Sequence, residues 1–153
     1  MLSAVRVFLP LTTADLALLH ATGWLPPRPG HAGTDLLRDQ APDEDQDDRD
    51  YRAMTFAAAD SLRLLAADPT GRPRRVVLAA DVADEDLTGP LERSDPTRVE
   101  LTAPVRLAQV AAVHVDDPAA ADAVRAAAAA LDPAALDEHE LQWYATQEIP
   151  DLL

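Results

Sequence analysis

The amino-acid sequence predicts an α+β fold, a sandwich of the ferredoxin-like type with a mixed or antiparallel sheet of four to five strands and helices on one face. The periodicities follow the order β-α-α-β-β-β-α-β, so helices lie between groups of strands and not after each strand. The 153 residues, 48% of them apolar, suit a single domain over residues 1–153 with a core of its own.

The first third of the chain predicts a strand followed by a helix. In "VRVFLP" one side of the chain carries Val5, Val7 and Leu9, and the other carries Arg6 and Phe8. This alternation, ended by Pro10, is typical of a strand. Thr12 or Thr13 caps the helix that follows, and Gly23 supplies its C-terminal stop. Between Tyr51 and Leu65 the apolar residues recur at helical spacing, which predicts a second, strongly amphipathic helix.

Residues 26–50, between these helices, predict an irregular and acidic excursion. The stretch "PPRPGHAG" is too rich in Pro and Gly for a regular element, and "PDEDQDDRD" is a dense acidic run. We expect a surface loop here, with one short helical turn at "TDLLRD".

The second half predicts further strands and one helix. "RRVVLAADV", "RVELTAP" and "AAVHVDD" have strand character, and Pro118 opens an alanine-rich helix. In the tail, Leu141 and Trp143 alternate with Gln142 and Tyr144, which predicts a last strand. We expect Trp143 to face the core and Tyr144 to lie on the opposite face.

Composition excludes several classes of function. The formal charge of −14 disfavours nucleic-acid and membrane-surface binding. There is no cysteine, which excludes disulfides and thiolate chemistry, and the N-terminal apolar run is too short to span a bilayer. All 13 basic residues are arginine, which indicates a GC-rich bacterial genome. We expect a cytoplasmic protein.

The acidic run contains part of a calcium-binding pattern, because Asp43, Asp45 and Asp47 have the spacing of the first three EF-hand ligands. The position that requires glycine is Asp48, and the position of the bidentate glutamate is Met54. The acidic run therefore predicts a solvated loop and not a metal site.

The polar residues of the last two predicted strands are the candidate ligand-binding groups. His114 and Asp116 lie on one face of a strand, and His-x-Asp pairs serve as metal ligands or as an oriented base when a third group joins them. Tyr144 and Glu148 are the candidates that the tail offers. A structural histidine is the competing interpretation, and we assign no catalytic residue, no metal and no cofactor.

The arginines at the start of the second predicted strand, Arg72, Arg74 and Arg75, admit two interpretations. They form either an anion-binding patch or pairs with carboxylates of the same chain, and the abundance of carboxylates favours pairing. The phosphate-binding glycine motifs and the common hydrolase, zinc-protease and kinase signatures are absent from the sequence.

Four blocks of the sequence carry a resemblance to a known family. "VRVFLP", "RRVVLAADV", "PVRLAQVAAVHVDD" and "LQWYATQEIPDLL" resemble small uncharacterised proteins of high-GC Gram-positive bacteria, grouped as a domain of unknown function. The resemblance spans nearly the whole chain except residues 26–50. It implies one cytoplasmic domain and brings no activity, cofactor or site residue.

Three functions remain open at this point. The sequence favours a non-enzymatic binding or regulatory module that forms a homodimer or docks a protein partner. The first alternative is a small-molecule-binding protein or enzyme with a pocket near His114, Asp116 and the C-terminal strand. The second is an acidic nucleic-acid mimic that acts through the loop at 39–50.

Overall fold

A computed structural model describes residues 3–153, which form an α+β fold with nine strands and four α-helices. The strands are β1 Ala4–Leu11, β2 Trp24–Leu25, β3 Pro29–Ala32, β4 Val76–Ala83, β5 Leu87–Thr88, β6 Arg98–Leu101, β7 Val105–Arg106, β8 Val110–Val115 and β9 Gln142–Tyr144. The α-helices are α1 Thr13–Thr22, α2 Asp35–Gln40, α3 Gln46–Ala67 and α4 Ala121–Ala130.

The main sheet is larger than the predicted four to five strands. Its seven strands run in the order β5-β6-β3-β1-β4-β8-β9, and β2 and β7 form a separate pair. Each neighbouring pair is antiparallel. The two extra members are β3 and the two-residue edge strand β5, whose short runs leave little periodicity to detect.

The ferredoxin-like plan matches only in part. Because β3 and β4 are both antiparallel to β1, they run in the same direction on either side of it, connected by α2 and α3. This is a split β-α-β unit. A ferredoxin-like plan contains a second such unit, whereas the strands that α4 connects, β8 and β9, are direct antiparallel neighbours.

One face of the sheet carries a core of large aliphatic side chains. Alternate residues of β1 and β4, among them Leu9 and Leu78, point to this face and pack with Leu16 and Leu19 of α1. Ile149 and Leu152, in the 3₁₀ segment Thr146–Leu152 after β9, close the same core. Thr12 caps α1 as predicted, in a reciprocal capping box with Asp15, and Gly23 ends it with φ of 82°.

Helices also cover the opposite face, which corrects the prediction that they pack on one face only. Here α3 lies against Phe8, Val77 and Ala79 through its alanines Ala53 and Ala57. The far half of α3 packs on α4 in a second alanine-rich cluster. The two-sided arrangement follows from the strands, because β1, β4 and β8 carry buried apolar residues on both of their faces and need cover on each.

The predicted excursion at 26–50 is mostly regular structure. β3 pairs with both β1 and β6, and Gly30 permits this, since a Cβ there would lie 2.7 Å from Leu9 Cδ2. The helical turn predicted at "TDLLRD" is α2. The acidic run starts α3: the Asp45 carboxylate accepts from the backbone N–H of Asp48, and Asp48 caps Asp45 in return. Carboxylates at this end suit the helix dipole.

The faces of the last strand are the reverse of those predicted. β9 pairs Trp143 with His114 and Tyr144 with Val113. Val113 belongs to the aliphatic core, so Tyr144 packs against that core, while Trp143 lies 61% exposed on the other face. The physical reason is that β9 is an edge strand and its Trp143 side is left uncovered.

Candidate functional site

A surface groove lies between α3 and the chain segment 132–141. It encloses about 430 Å³ and is partly open to solvent. Residues of α3, Arg75 before β4 and residues of 132–141 line it: Tyr51, Met54, Thr55, Ala58, Ala59, Arg75, Asp132, Pro133, Ala134, Leu136, Asp137, His139, Glu140 and Leu141. Its volume falls within the range of about 300–1,000 Å³ found for ligand pockets, and its lining is mostly apolar.

The segment that forms the outer wall is held in place by three local features. Leu131 ends α4 in the left-handed conformation, with φ of 51°, and turns the chain back toward α3. Pro133 then starts the 3₁₀ turn Pro133–Leu136. Leu136 is buried between α3 and α4, so the wall is anchored in the core while its neighbours remain at the surface.

A buried ion pair lies at the inner end of the groove. Arg75 and Asp116 are side-chain neighbours at the ends of β4 and β8, with Nε to Oδ2 at 2.9 Å and Nη2 to Oδ1 at 2.7 Å. Oδ2 also accepts from the backbone N–H of Arg75, and Nη2 donates to the carbonyl of His139. This bidentate pair confirms pairing for Arg75 and joins the sheet to the groove wall.

The rim of the groove is acidic. Asp132, Asp137 and Glu140 are exposed, and within residues 3–153 none of the three forms an ion pair. Tyr51, 59% exposed, stands on the α3 side of the opening. The groove therefore combines an apolar floor with a negatively charged entrance.

A second, shallower cleft adjoins the groove on α3. It is lined by Glu44, Asp48, Tyr51, Arg52, Thr55 and Phe56. Tyr51 and Thr55, one helical turn apart, line both depressions and form the ridge between them. We call the two depressions with this ridge the α3 saddle.

His114 and Asp116 share the α3 face of the sheet, as their spacing in a strand requires. Asp116 is 1% exposed and committed to Arg75. His114 is half-buried opposite Trp143, and its imidazole ring forms no hydrogen bond with the described residues. Burial, and then the positive charge of Arg6, hold the pKa of His114 below its ordinary value of 6.5. His114 does not line the groove.

The two tail candidates lie apart from this pair. The hydroxyl of Tyr144 donates to Gln142 Oε1 at 3.0 Å, on the strand's own surface. The carboxylate of Glu148 accepts from the backbone N–H of Ala145 at 2.7 Å, which caps the 3₁₀ segment after β9. The structure thus brings His114 and Asp116 to one face and leaves Tyr144 on the other, with Glu148 in a capping role.

Both ring nitrogens of His31, a histidine to which the sequence assigned no role, contact polar side chains. His31 of β3, 3% exposed, contacts Asp60 Oδ2 of α3 through Nε2 at 2.6 Å and Thr97 Oγ1 through Nδ1 at 2.8 Å. Phe56 stacks on its ring with centroids 5.9 Å apart. Thr97 is fully buried and Asp60 belongs to α3, so this Thr-His-Asp chain attaches α3 to the sheet.

The contact with His31 lowers the pKa of Asp60. Burial raises the pKa of the carboxyl group, but the hydrogen bond and charge of His31, together with Arg63, lower it by more, so the pKa lies below 3.8. The sequence offered no signal for this contact beyond the presence of His31 in a Pro/Gly-rich segment, because its partners come from distant elements.

Residues 3–153 contain neither a candidate metal site nor a candidate membrane-spanning helix. The His, Asp and Glu side chains in this range nowhere form a group of three that could hold a metal ion. None of its helices is long and apolar enough to cross a membrane.

Comparison with known families identifies the chain without giving it an activity. A model of the DUF6912 family, a family of unknown function, matches residues 5–153, so the chain belongs to that family. No curated protein and no solved structure matches the chain.

Proposed function

We propose that this member of the DUF6912 family is a non-enzymatic binding module that docks a protein partner in the groove between α3 and residues 132–141. The observation that carries the proposal is the groove itself: about 430 Å³ of mostly apolar lining that stays open to solvent beside an exposed tyrosine. Open apolar surface rimmed by polar groups is typical of interaction sites.

Binding fits the polar groups of the groove better than catalysis does. The buried charge at its inner end, Arg75, already bonds Asp116 and the carbonyl of His139. These bonds fix the shape of the site, and a preformed apolar groove lowers the entropic cost of binding. A different protein is the partner we favour over a second copy, because the charge of −14 would make two copies repel.

A small molecule is the second candidate for the groove, since its volume falls within the range of about 300–1,000 Å³ for such sites. The nucleic-acid mimic has less support. Asp45 and Asp48 cap α3, and Glu44 pairs with Arg52, so part of the acidic run has a structural role. We place the module in the cytoplasm of a bacterium with a GC-rich genome, on the composition of its sequence.

Two neighbouring alanines provide a matched test. Ala134 and Ala135 are both exposed in the same short turn, but only Ala134 lines the groove. Ala134→Trp fills the groove, whereas Ala135→Trp adds the same side chain outside it. Thermal unfolding first verifies that both variants fold like the wild type.

Each protein is then used as bait in native lysate, and the captured proteins are quantified by mass spectrometry. We expect at least one protein to be retained by the wild type and by Ala135→Trp and lost by Ala134→Trp, and to bind again when purified. Equal capture by both variants, for all proteins found, would contradict docking in the groove.

A further inference from the structure

We infer that the partner binds across the α3 saddle through a short basic segment that also carries apolar side chains. This inference rests on the proposed docking function and specifies the chemistry of the partner. It follows from the balance of charge on the saddle, from its aromatic side chains and from its shape.

The saddle holds more negative than positive charge, and both of its cations are engaged. Arg52 pairs with Glu44, and Arg75 with Asp116. The remaining carboxylates that line it form no ion pair within residues 3–153: Asp48, Asp132, Asp137 and Glu140. A partner with arginine or lysine side chains would neutralise this excess, whereas an acidic partner would be repelled.

Two exposed aromatic side chains occupy the same surface. Tyr51 is 59% and Phe56 is 44% exposed, and Phe56 is held by its stacking on the buried ring of His31. A fixed aromatic ring offers apolar contact and a face that attracts a cation. The aliphatic stem of an arginine or lysine fits the apolar floor while its charged end reaches the carboxylates.

The shape of the saddle favours a polypeptide over a compact molecule. Its two depressions lie on either side of the ridge formed by Tyr51 and Thr55, on a helix about 10 Å wide with its side chains. An occupant of both must cross that ridge and place side chains on each side. About four extended residues span this distance, so a short segment with basic and apolar residues is the occupant we commit to.

A peptide library tests the inference without knowledge of the natural partner. A random twelve-residue library displayed on phage is selected on the immobilised full-length protein, and enriched peptides are synthesised and measured by fluorescence polarisation. We expect the enriched sequences to combine Arg or Lys with aromatic or aliphatic residues. Their affinity should fall as salt is raised, because the charges are at the surface.

Two double charge reversals, one inside the groove and one outside it, supply the matched control. Asp137→Arg with Glu140→Arg reverses two groove carboxylates, and we expect the Kd of the enriched peptides to rise by about tenfold or more. Glu138→Arg with Asp122→Arg changes the net charge equally, but both positions are exposed and lie outside the groove. This second variant should bind almost as the wild type does.

Three other results of these binding measurements would each refute the basic segment, docking in the groove or a polypeptide occupant. Enriched peptides that lack basic residues but lose binding in Ala134→Trp would leave docking in the groove intact and refute the basic segment. Peptides that bind Ala134→Trp as well as the wild type would refute both. Failure to enrich any peptide, or equal binding of free spermidine and the peptides, would refute a polypeptide occupant.

Discussion

The two faces of the central sheet are packed in opposite ways. The α1 face is filled mainly by leucine, valine and isoleucine, whereas on the α3 face most of the packing side chains are alanines, which surround Phe8 and Val77: Ala53, Ala57, Ala79 and Ala112. Large side chains bury more apolar area per residue and interlock with their neighbours. Alanines allow α3 to come close to the sheet, but their methyl groups do not interdigitate enough to fix the position of the helix.

Hydrogen bonds between polar groups fix the position of α3 on the sheet. Ser61 Oγ donates to the carbonyl of Leu11 at 2.7 Å and accepts from the N–H of Val76 at 3.1 Å, which joins α3 to both central strands. The adjacent Asp60 contacts His31. Burial of large side chains therefore stabilises the α1 face, whereas specific hydrogen bonds fix the α3 face, where the groove lies.

The largest effect is expected at the buried ion pair of the α3 face. Asp116→Ala leaves Arg75 buried without its partner, which should lower the free energy of unfolding by about 3–5 kcal/mol. Asp81→Ala removes the partner of the exposed Arg6 and should cost under about 1 kcal/mol. Urea unfolding of both variants measures the difference, and equal costs would contradict the role of Asp116.

The next largest effects are expected from changing the size of one buried side chain on each face of the sheet. Leu78→Ala should lower the free energy of unfolding by about 2–5 kcal/mol, because it leaves a cavity in the aliphatic core. Ala57→Leu should cost about 1–3 kcal/mol, because α3 lies too close to the sheet to admit it. Chemical denaturation checks both, and a stabilising Ala57→Leu would show that the α3 face is loosely packed.

Ser61→Ala tests the polar attachment of α3 directly. It leaves the carbonyl of Leu11 and the N–H of Val76 without their bond to Ser61, and we expect a loss of about 1–3 kcal/mol. Thr55→Ala removes an exposed hydroxyl that bonds within the helix and should change the free energy of unfolding by less than about 0.5 kcal/mol. Comparable values from thermal unfolding would argue against Ser61 as an attachment point.

The smallest expected effect depends on pH. Because the pKa of Asp60 is lower in the folded protein than its ordinary 3.8, its ionised form stabilises the fold above that pH. This contribution disappears as the pH falls below 3.8 through the folded pKa. The difference in stability between the wild type and Asp60→Asn should therefore narrow between pH 5 and pH 2. A constant difference across that range in urea titrations would contradict the assignment.

Local signals in the sequence predicted the elements that depend on local physics. Caps at Thr12 and Gly23, and helical periodicity from Tyr51 to Leu65, correctly indicate α1 and α3. β3 escaped prediction because its Pro29 and Gly30 resemble a loop, and its strand conformation depends on close contact with Leu9 and Phe8. That contact involves residues distant in sequence.

The candidate site was less accessible to sequence reasoning. His114 and Asp116 were correctly placed on one face by the two-residue period of a strand, but the partner of Asp116 lies 41 positions away in Arg75. The faces of Trp143 and Tyr144 were reversed, because alternation identifies two sides and does not say which of them is covered. The groove is formed by α3 and residues 132–141, whose proximity only the fold determines.

The long separation between β1 and β4 has a consequence for the time the chain needs to fold. Paired residues of these two central strands, such as Arg6 and Asp81, are 75 positions apart in sequence. The chain loses the entropy of closing this long loop before β1 and β4 gain any pairing energy. We therefore expect folding to take roughly milliseconds to seconds. During synthesis β1 leaves the ribosome before β4 does, so its apolar side chains and its unpaired backbone groups stay exposed until β4 has been synthesised.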